Sequence, residues 1–272
     1  MKQLRGGLAL VTGAGSGIGR ATTLALANEG MQIVVCDRDA AALDRVASTL
    51  GDRCALAATV DVGDRDAMRT LADRVHAMAP SLDVLVNNAG VAHVGRMIDT
   101  PLADWDHVLR VNLGGTIHGC HFFVPNMVKR RAGHVVNVAS MVALCALPGT
   151  IAYVTSKFAV LGLSEALRAE LAPHRVGVTA ICPGVIRTNI ARTMRVTDAF
   201  GAHRGMLDRW GPSFGHDPDG VARAIVRSIR DNRGTVPVTA ESHALHWLKR
   251  TSPRAADVLA SAIARIAPGS VT

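Results

Sequence analysis

The one tyrosine of this chain lies four residues before a lysine, in the stretch YVTSK from Tyr153 to Lys157. On a helix this spacing puts the two side chains on one face, a turn apart. An ammonium group beside a phenol favours the phenolate, so the pair predicts a tyrosine whose pKa is lowered from about 10. Such a tyrosine could give or take a proton in a reaction. The alternative is a packing tyrosine beside a surface lysine, which is the commoner case for an isolated pair.

A second candidate for chemistry is the glycine-rich stretch TGAGSGIG, Thr12–Gly19, which lies between an apolar run and a helical pattern. Glycines at such a turn let the backbone approach a pyrophosphate, whose charge meets free N–H groups and the positive end of the helix dipole. The spacing of Gly13, Gly17 and Gly19 differs from the common G-x-G-x-x-G fingerprint. A glycine turn alone could also merely close a tight strand–helix unit.

An alternation of strands and helices must position these residues. Strand-like runs are LALVTG, QIVVCD, CALAATVD, LDVLVNNAG, HVVNVAS and VGVTAICPG, and helical patterns cover about 18–29, 40–50, 65–79, 104–130 and 221–231, together with the Tyr153 helix. Uniformly apolar strands separated by amphipathic helices predict a parallel sheet covered on both faces, the doubly wound α/β architecture. We therefore predict one Rossmann-type catalytic domain over residues 1–272.

Two later segments depart from this alternation. Residues from about 189 to 217 are glycine-rich and contain Pro212, which predicts a long, partly mobile segment that contacts the substrate. Residues from about 241 to 272 follow a short strand, TVPVT, and form a basic amphipathic extension divided at Pro253. Three roles are open for this extension: a packed edge or lid over the cleft, a subunit contact, or peripheral attachment to an anionic membrane. Packing is favoured over the membrane, because neither half has a long, strongly apolar face.

The composition argues against several classes of protein. With 49% hydrophobic and 19% charged residues, a chain of 272 residues can bury a large core. The net charge of +8 is spread along the chain with no basic run among aromatic residues, so nucleic-acid binding is not predicted. Five cysteines without a C-x-x-C pair indicate a cytoplasmic protein without a disulfide framework or zinc site. His118 and His121 lack a third ligand nearby, so no metal is predicted.

Six motifs resemble, in order and spacing, those of the short-chain dehydrogenase/reductase family. They are TGAGSGIG, NNAG at Asn87–Gly90, Asn112 in RVNLGG, Ser140 in NVAS, YVTSK, and PGVIRT, and they span about residues 8–188. The resemblance implies an NAD(P)-dependent oxidoreductase that interconverts a secondary alcohol and a ketone. It also implies a Rossmann fold, a cofactor across the carboxyl ends of the strands, and a homodimer or homotetramer.

By this resemblance, the cofactor-binding residues are Gly13, Ser16, Gly17, Ile18, Gly19, Asp37, Arg38, Asp61, Val62, Asn88, Ala89, Gly90, Tyr153, Lys157, Pro183, Gly184 and Thr188. Asp37 ends the second strand, where a carboxylate can accept hydrogen bonds from both hydroxyls of the adenosine ribose and would repel a 2′-phosphate. Arg38 could instead pair with that phosphate. NAD is therefore the predicted cofactor, and NADP is left open.

For catalysis the resemblance implies four residues: Asn112, Ser140, Tyr153 and Lys157. Tyr153 would exchange a proton with the substrate oxygen, and Lys157 would lower its pKa and hold the nicotinamide ribose. Ser140 would hydrogen-bond the substrate oxygen, because a hydroxyl can both donate and accept. Asn112 would hold a water that links Lys157 to solvent.

The substrate is the least determined part of this prediction. The apolar stretch MVALCALPG and the segment after Thr188 suggest a hydrophobic alcohol or ketone, such as a lipid-, steroid- or acyl-like compound. His93 and Cys145 fall where the family's substrate cleft would be. Two alternatives remain open: an NADPH-dependent 3-oxoacyl-carrier reductase, and a cofactor-binding regulatory protein without turnover.

Overall fold

The computed structural model describes residues 3–197 and 215–266. Its strands are β1 Leu8–Thr12, β2 Gln32–Asp37, β3 Cys54–Thr59, β4 Val84–Asn87, β5 His93–Val94, β6 Gly133–Val138, β7 Val176–Cys182, β8 Arg195–Val196 and β9 Thr235–Pro237. Seven of them form one parallel sheet in the order β3-β2-β1-β4-β6-β7-β9. The order reverses between β1 and β4, which leaves a crevice at the carboxyl ends of these strands. The predicted doubly wound fold is confirmed.

Helices connect the strands and cover both faces of the sheet. They are α1 Gly17–Asn28, α2 Ala40–Leu50, α3 Arg65–Met78, α4 Leu102–Leu109, α5 Gly115–Arg130, α6 Ile151–Leu171, α7 Ile190–Thr193, α8 Pro218–Asp231, α9 Ala240–Thr251 and α10 Pro253–Ile266. Aspartates begin three of them, since Asp39, Asp64 and Asp217 accept hydrogen bonds from backbone N–H groups of the first turns of α2, α3 and α8. These caps satisfy donors that a helix start leaves without partners.

The core has two layers because neighbouring strand residues point to opposite faces of the sheet. On one face Leu10, Val34, Leu85 and Val135 pack with Met68, Leu71, Phe123 and Met127 of α3 and α5. On the other face Val11, Val35, Val86 and Val136 pack with Leu26, Leu43 and Ile225 of α1, α2 and α8. The strands are thus fixed from both sides, and their carboxyl ends hold the loops described below.

The helix predicted over residues 104–130 is interrupted. Arg110–Gly114 form a π-helical turn between α4 and α5, and the Thr116 hydroxyl donates to the backbone carbonyl of Asn112, 2.8 Å away. The Asn112 side chain is held at this turn by the backbone of Val91. Single π turns inside α-helices often occur at functional sites.

The two segments that depart from the alternation are described in part. Of the predicted substrate segment, α7 and β8 are described, and β8 pairs with β5 in a small parallel sheet. Residues 198–214 make up most of the segment that was predicted to be mobile and to contact the substrate. They lie outside the described residues.

The C-terminal extension forms the two helices expected on either side of Pro253. The first, α9, packs against the short turn Met141–Ala143, whereas α10 contacts α9 and is exposed except near Ala256. The favoured packing role therefore fits α9 better than α10. Within residues 3–197 and 215–266, no helix has the length and apolar content needed to cross a membrane.

Candidate active site

A cavity of about 340 Å³ lies at the carboxyl ends of the strands, where the strand order reverses. The predicted site residues that line it are Gly13, Ser16, Gly17, Ile18, Asp37, Arg38, Asp61, Val62, Asn88, Ala89, Gly90, Ser140, Tyr153, Lys157, Pro183, Gly184 and Thr188. Gly19 and Asn112 do not line it and are buried behind its wall. The predicted residues thus come together from segments more than 170 positions apart in the sequence, Gly13 to Thr188.

The glycine loop allows the chain to pack at distances that exclude side chains. Gly17 has φ of +50°, in the left-handed region, and a Cβ there would lie 2.8 Å from Thr188 Cγ2. A Cβ on Gly19 would lie 2.0 Å from the carbonyl oxygen of Gly13. Helix α1 starts at this loop without a side-chain cap from Ser16 and without an acidic residue in its first turn. Its first N–H groups can therefore bind an anion.

Asp37 is fixed at one end of the cavity by two backbone donors. The N–H of Gly15 donates to Oδ2 at 2.8 Å, and the N–H of Asp39 donates to Oδ1 at 3.0 Å. Each oxygen keeps further acceptor capacity, so the carboxylate can still bind two hydroxyls. Arg38 and Arg45 line the same cavity. Arg45 was not among the predicted residues, because only the fold of α2 brings it to the cavity.

Asp61 ends the next segment and is paired with Arg110. Its Oδ1 accepts from the N–H of Gly63 at 2.9 Å, and its Oδ2 lies 2.9 Å from Arg110 Nη1. Burial acts to raise the pKa of Asp61, but these hydrogen bonds and the charges of Arg110 and Arg38 outweigh it, so the pKa is lowered. Asp61 is therefore a carboxylate at neutral pH.

Asn88 ties the end of β4 to the glycine loop. Its Nδ2 donates to the carbonyls of Thr12 at 2.9 Å and Gly13 at 3.2 Å, and the Thr12 hydroxyl accepts from the backbone N–H groups of Asn88 and Ala89. These bonds hold the two loops against each other. The amide group of Asn88 is thus used to shape the wall of the cavity.

Tyr153 and Lys157 lie at the opposite end of the cavity, in the first turns of α6. Lys157 is 5% exposed, and its Nζ donates to the carbonyl of Val138 at 2.8 Å and lies 5.8 Å from the centroid of the Tyr153 ring. Burial lowers the pKa of Lys157 from 10.5 to about 8. At neutral pH the side chain is still mostly an ammonium group.

The pKa of Tyr153 moves in the direction opposite to the one predicted. Burial raises the pKa of the phenol, and a hydrogen bond with Ser140 opposes the rise in part. Lys157 was expected to lower this pKa, but the desolvation of the phenolate dominates in the folded protein. Tyr153 is therefore a neutral phenol at neutral pH.

Ser140 lies directly beside Tyr153 at the end of β6. It is 7% exposed and begins the short turn Met141–Ala143, where its Oγ accepts from the N–H of Val142 at 3.4 Å. The N–H of Met141 donates to the carbonyl of Pro183 at 2.8 Å. The Ser140 loop and the turn after β7 are thus joined.

Asn112 acts on this end of the cavity from behind. Its Oδ1 accepts from the N–H of Val91 at 2.8 Å, and its Nδ2 donates to the carbonyl of Val91 at 3.0 Å and to Ser156 Oγ at 2.9 Å. The Ser156 hydroxyl donates in turn to the carbonyl of Tyr153 at 2.7 Å. Asn112 thereby fixes the helical turn that carries Tyr153.

Three other residues that the sequence pointed out as candidates are buried or bonded in ways that indicate a structural role. His93 is fully buried, and its Nε2 lies 3.4 Å from Asp104 Oδ2. Cys145 is buried as well, and neither residue lines the cavity. His118 Nδ1 lies 2.9 Å from the carbonyl of Val62, which it can bond only as a donor. In the part of the chain that the structure describes, no three His, Cys, Asp or Glu side chains are placed to bind a metal ion.

Several lining residues were not predicted from the sequence. They are Gly15, Asp39, Ala42, Arg45, Val60, Val91, Val111, Val138, Ala139, Ile186, Asn189, Ile190 and Thr193. Most flank a predicted motif by one or two positions, which is the signal that could have included them. Ala42, Arg45 and Thr193 lie farther from any motif and line the cavity because of how their helices pack.

Comparisons with known proteins agree with this geometry. The family described as short chain dehydrogenase matches residues 7–199. EphD of Mycobacterium tuberculosis, named as an oxidoreductase, is 42% identical over 257 residues, which cover 91% of this chain but 43% of that protein. This chain thus spans less than half the length of that relative. SadH of the same organism, also named as an oxidoreductase, is 35% identical and covered to 92% in both chains.

Among solved structures, a short-chain dehydrogenase/reductase from Burkholderia phymatum in complex with NAD superposes with a TM-score of 0.86. It is 30% identical, and the match covers 94% of this chain and 96% of that one. The similarity therefore extends over nearly the whole of this chain.

Proposed function

We propose that this chain, which belongs to the short-chain dehydrogenase/reductase family, is an oxidoreductase that interconverts a secondary alcohol and a ketone with NAD. We assign the proton transfer to Tyr153. The observation that carries this assignment is the convergence of Ser140, Tyr153 and Lys157 on a cavity that is also lined by the glycine loop at the uncapped start of α1.

The cavity fits a nicotinamide dinucleotide. Gly17 and Gly19 have no side chains, and an added Cβ at either position would collide with its neighbours. The uncapped start of α1 is therefore open to a pyrophosphate. Asp37 offers acceptors for ribose hydroxyls at one side of this loop, and Lys157 and Thr188 lie toward the other. The bound cofactor would supply the chemistry of hydride transfer.

The choice of NAD over NADP rests on Asp37. Its carboxylate is held by Gly15 and Asp39, so it cannot easily turn away from a 2′-phosphate, which it would repel. Arg38 and Arg45 on the same wall favour a phosphate. This pair of arginines keeps an NADPH-dependent 3-oxoacyl-carrier reductase as the second candidate function.

The protein's own groups account for the proton. The neutral Tyr153 hydroxyl can donate a proton to the oxygen of a ketone, and the phenolate that results can take one back from an alcohol. The Lys157 ammonium lies close enough to stabilise the phenolate electrostatically, and the Ser140 hydroxyl can hydrogen-bond it and the substrate oxygen. Asn112 keeps Tyr153 in place through Ser156. Both donors of the Asn112 amide are bonded to Val91 and Ser156, so a relay water could not accept a hydrogen bond from this side chain.

The surroundings of Ser140 favour a hydrophobic substrate. Val138 and Ala139 precede it in the chain and line the cavity with it, as do Ile186 and Ile190. An apolar wall of this kind binds hydrocarbon more readily than a sugar. We therefore propose a lipid-, steroid- or acyl-like alcohol or ketone as the substrate. We also propose that the protein is a cytoplasmic homodimer or homotetramer.

The replacement Tyr153→Phe tests the proposal, because it removes one hydroxyl and keeps the ring. We expect kcat with NAD and hydrophobic secondary alcohols to fall at least about a hundredfold, while NADH affinity changes by less than about threefold. The matched control is Thr155→Ala, an exposed position of the same helix. Undiminished turnover in Tyr153→Phe would overturn the mechanism, and wild-type activity confined to small polar sugars would overturn the substrate class.

A further inference from the structure

The turn after β7 is held from outside the cavity by the C-terminal extension. Glu241, in the first turn of α9, accepts a hydrogen bond from the N–H of Val185 at 3.1 Å through Oε1. The same oxygen packs against Gly184, since a Cβ on that glycine would lie 2.1 Å from it. The carboxylate thus occupies the space that a side chain at position 184 would need.

The second oxygen of Glu241 binds the chain segment that runs beside this turn. Oε2 lies 3.2 Å from His216 Nε2. The backbone of His216 is already paired with the turn, because its N–H donates to the carbonyl of Val185 at 2.8 Å and its carbonyl accepts from the N–H of Arg187 at 2.9 Å. One carboxylate therefore contacts both strands of chain on the outer side of the turn.

Helix α9 is held to the rest of the fold by its own hydrogen bonds, and these bonds fix the position of Glu241. Thr239 is the N-cap of α9, and the fully buried hydroxyl of Ser242 donates to the carbonyl of Cys182 at 2.6 Å. Burial acts to raise the pKa of Glu241, but hydrogen bonds from its own N–H, from Thr239, from Val185 and from His216 outweigh it and lower the pKa. Glu241 is therefore an anion at neutral pH, with both oxygens engaged.

We propose that Glu241 is a positioning residue for the nicotinamide end of the cofactor site. It fixes the turn from Pro183 to Thr188, four residues of which, Pro183, Gly184, Ile186 and Thr188, line the cavity. This inference rests on the proposed function, because it requires a dinucleotide whose nicotinamide lies against that turn. It also gives the C-terminal extension a role in the site, without a contact between the extension and the cofactor.

A role in positioning one end of the cavity differs from a general role in folding. Asp37, Asn88 and the glycine loop, at the adenosine end, have no hydrogen bond to Glu241 among those between described residues. Loss of the carboxylate should therefore weaken binding of NADH but not of ADP-ribose, which lacks the nicotinamide. A merely structural residue would weaken the binding of both ligands together.

The experiment compares Glu241→Ala, Glu241→Gln and the control Asp257→Asn, a carboxylate of the same extension that pairs with Lys249 at 3.1 Å. Dissociation constants are measured for NADH by nicotinamide fluorescence and for ADP-ribose by calorimetry. We expect Glu241→Ala to weaken NADH about tenfold and ADP-ribose less than twofold, since the hydrogen bonds of the carboxylate with Val185 and His216 are lost. Glu241→Gln should fall between, because its carboxamide oxygen can still accept from Val185. Asp257→Asn should match the wild type.

A second variant, Gly184→Ala, would place a Cβ against both the Glu241 carboxylate and the Thr239 hydroxyl, so the turn must move away from α9, and it should give the same selective loss of NADH affinity. If NADH affinity is unchanged in Glu241→Ala and Gly184→Ala, or if the affinities for both ligands fall equally, the inference is wrong. Should Glu241→Ala fail to fold, Glu241→Gln and Gly184→Ala decide by the same criterion. If the wild type binds ADP-ribose and NADH equally weakly or not at all, the proposed function itself fails, a result distinct from an unchanged variant.

Discussion

The adenosine end of the cavity is held by hydrogen bonds among residues 12–110, whereas the nicotinamide end joins segments as far apart as Asn112 and Glu241. At the first end Asp37 is bonded to Gly15, and Asn88 to Thr12. At the second end Asn112 reaches α6 and Glu241 reaches the turn after β7. The adenosine end is therefore complete early in the chain, and the nicotinamide end requires most of the fold.

The two ends also differ in what burial does to their ionisable groups. Asp37 lies at the rim with backbone donors on both oxygens, and the pKa of Asp61 is lowered. At the nicotinamide end burial lowers the pKa of Lys157 to about 8 and raises that of Tyr153. The binding end is made of satisfied polar groups, and the end proposed for chemistry contains groups whose charged forms are destabilised. Perturbed pKa values of this kind are common at sites where a protein must transfer protons.

The largest effect that would separate the two ends is expected from Gly19→Ala. Its Cβ would lie 2.0 Å from the carbonyl oxygen of Gly13, so the glycine loop must shift. We expect NADH and ADP-ribose to lose at least about a hundredfold in affinity, since the pyrophosphate contact depends on this loop. Gly162→Ala is the control, because that helical glycine has no neighbour within 4 Å of an added Cβ, and it should stabilise the protein by about 0.5–1 kcal/mol. Normal ADP-ribose binding by Gly19→Ala would contradict this description of the loop.

Lys157→Met should separate function from stability at the nicotinamide end. Turnover should fall at least about a hundredfold through loss of the ammonium beside Tyr153. The free energy of unfolding at pH 7 should rise by about 1–3 kcal/mol, because the wild type buries a charge there. The pKa of Lys157 is about 8 in the folded protein and 10.5 in the unfolded chain. The destabilisation of the wild type by this buried charge is therefore fully present below pH 8 and disappears as the pH rises to 10.5.

Urea unfolding of both proteins at pH 7 and pH 10 measures this difference. The stability advantage of Lys157→Met should be smaller at pH 10, where the wild type is relieved of the buried charge. A variant less stable than the wild type at pH 7, or a difference independent of pH, would show that the bond to Val138 outweighs the burial of the ammonium.

A smaller effect is expected from Asp37→Ser at the adenosine end. Removing the carboxylate should shift the ratio of NADPH to NADH affinity toward NADPH by about tenfold, because the repulsion of a 2′-phosphate is lost while Arg38 and Arg45 remain. Asp44→Ser, at an exposed position of α2, serves as the control. An unchanged ratio in Asp37→Ser would mean that this carboxylate does not select the cofactor.

The sequence was most informative where local chemistry decides the structure. The glycine loop, Asp37 and the strand ends could be predicted because a short motif fixes each of them within a few residues. Arg45, the π turn at Asn112 and the contact of Glu241 with Gly184 could not, because each depends on how distant elements pack. The direction of the Tyr153 pKa was wrong for the same reason, since burial is a property of the folded chain.

The most direct test of the account is a titration of the intact protein with NADH and, separately, with NADPH, followed by nicotinamide fluorescence. Because both the glycine loop and Asp37 should contact the cofactor, NADH should bind, and more tightly than NADPH. If NADPH bound more tightly, Arg38 and Arg45 would outweigh Asp37, and the reductase alternative would replace the NAD-dependent one. If neither bound, the assignment of this cavity to a nicotinamide dinucleotide would be contradicted.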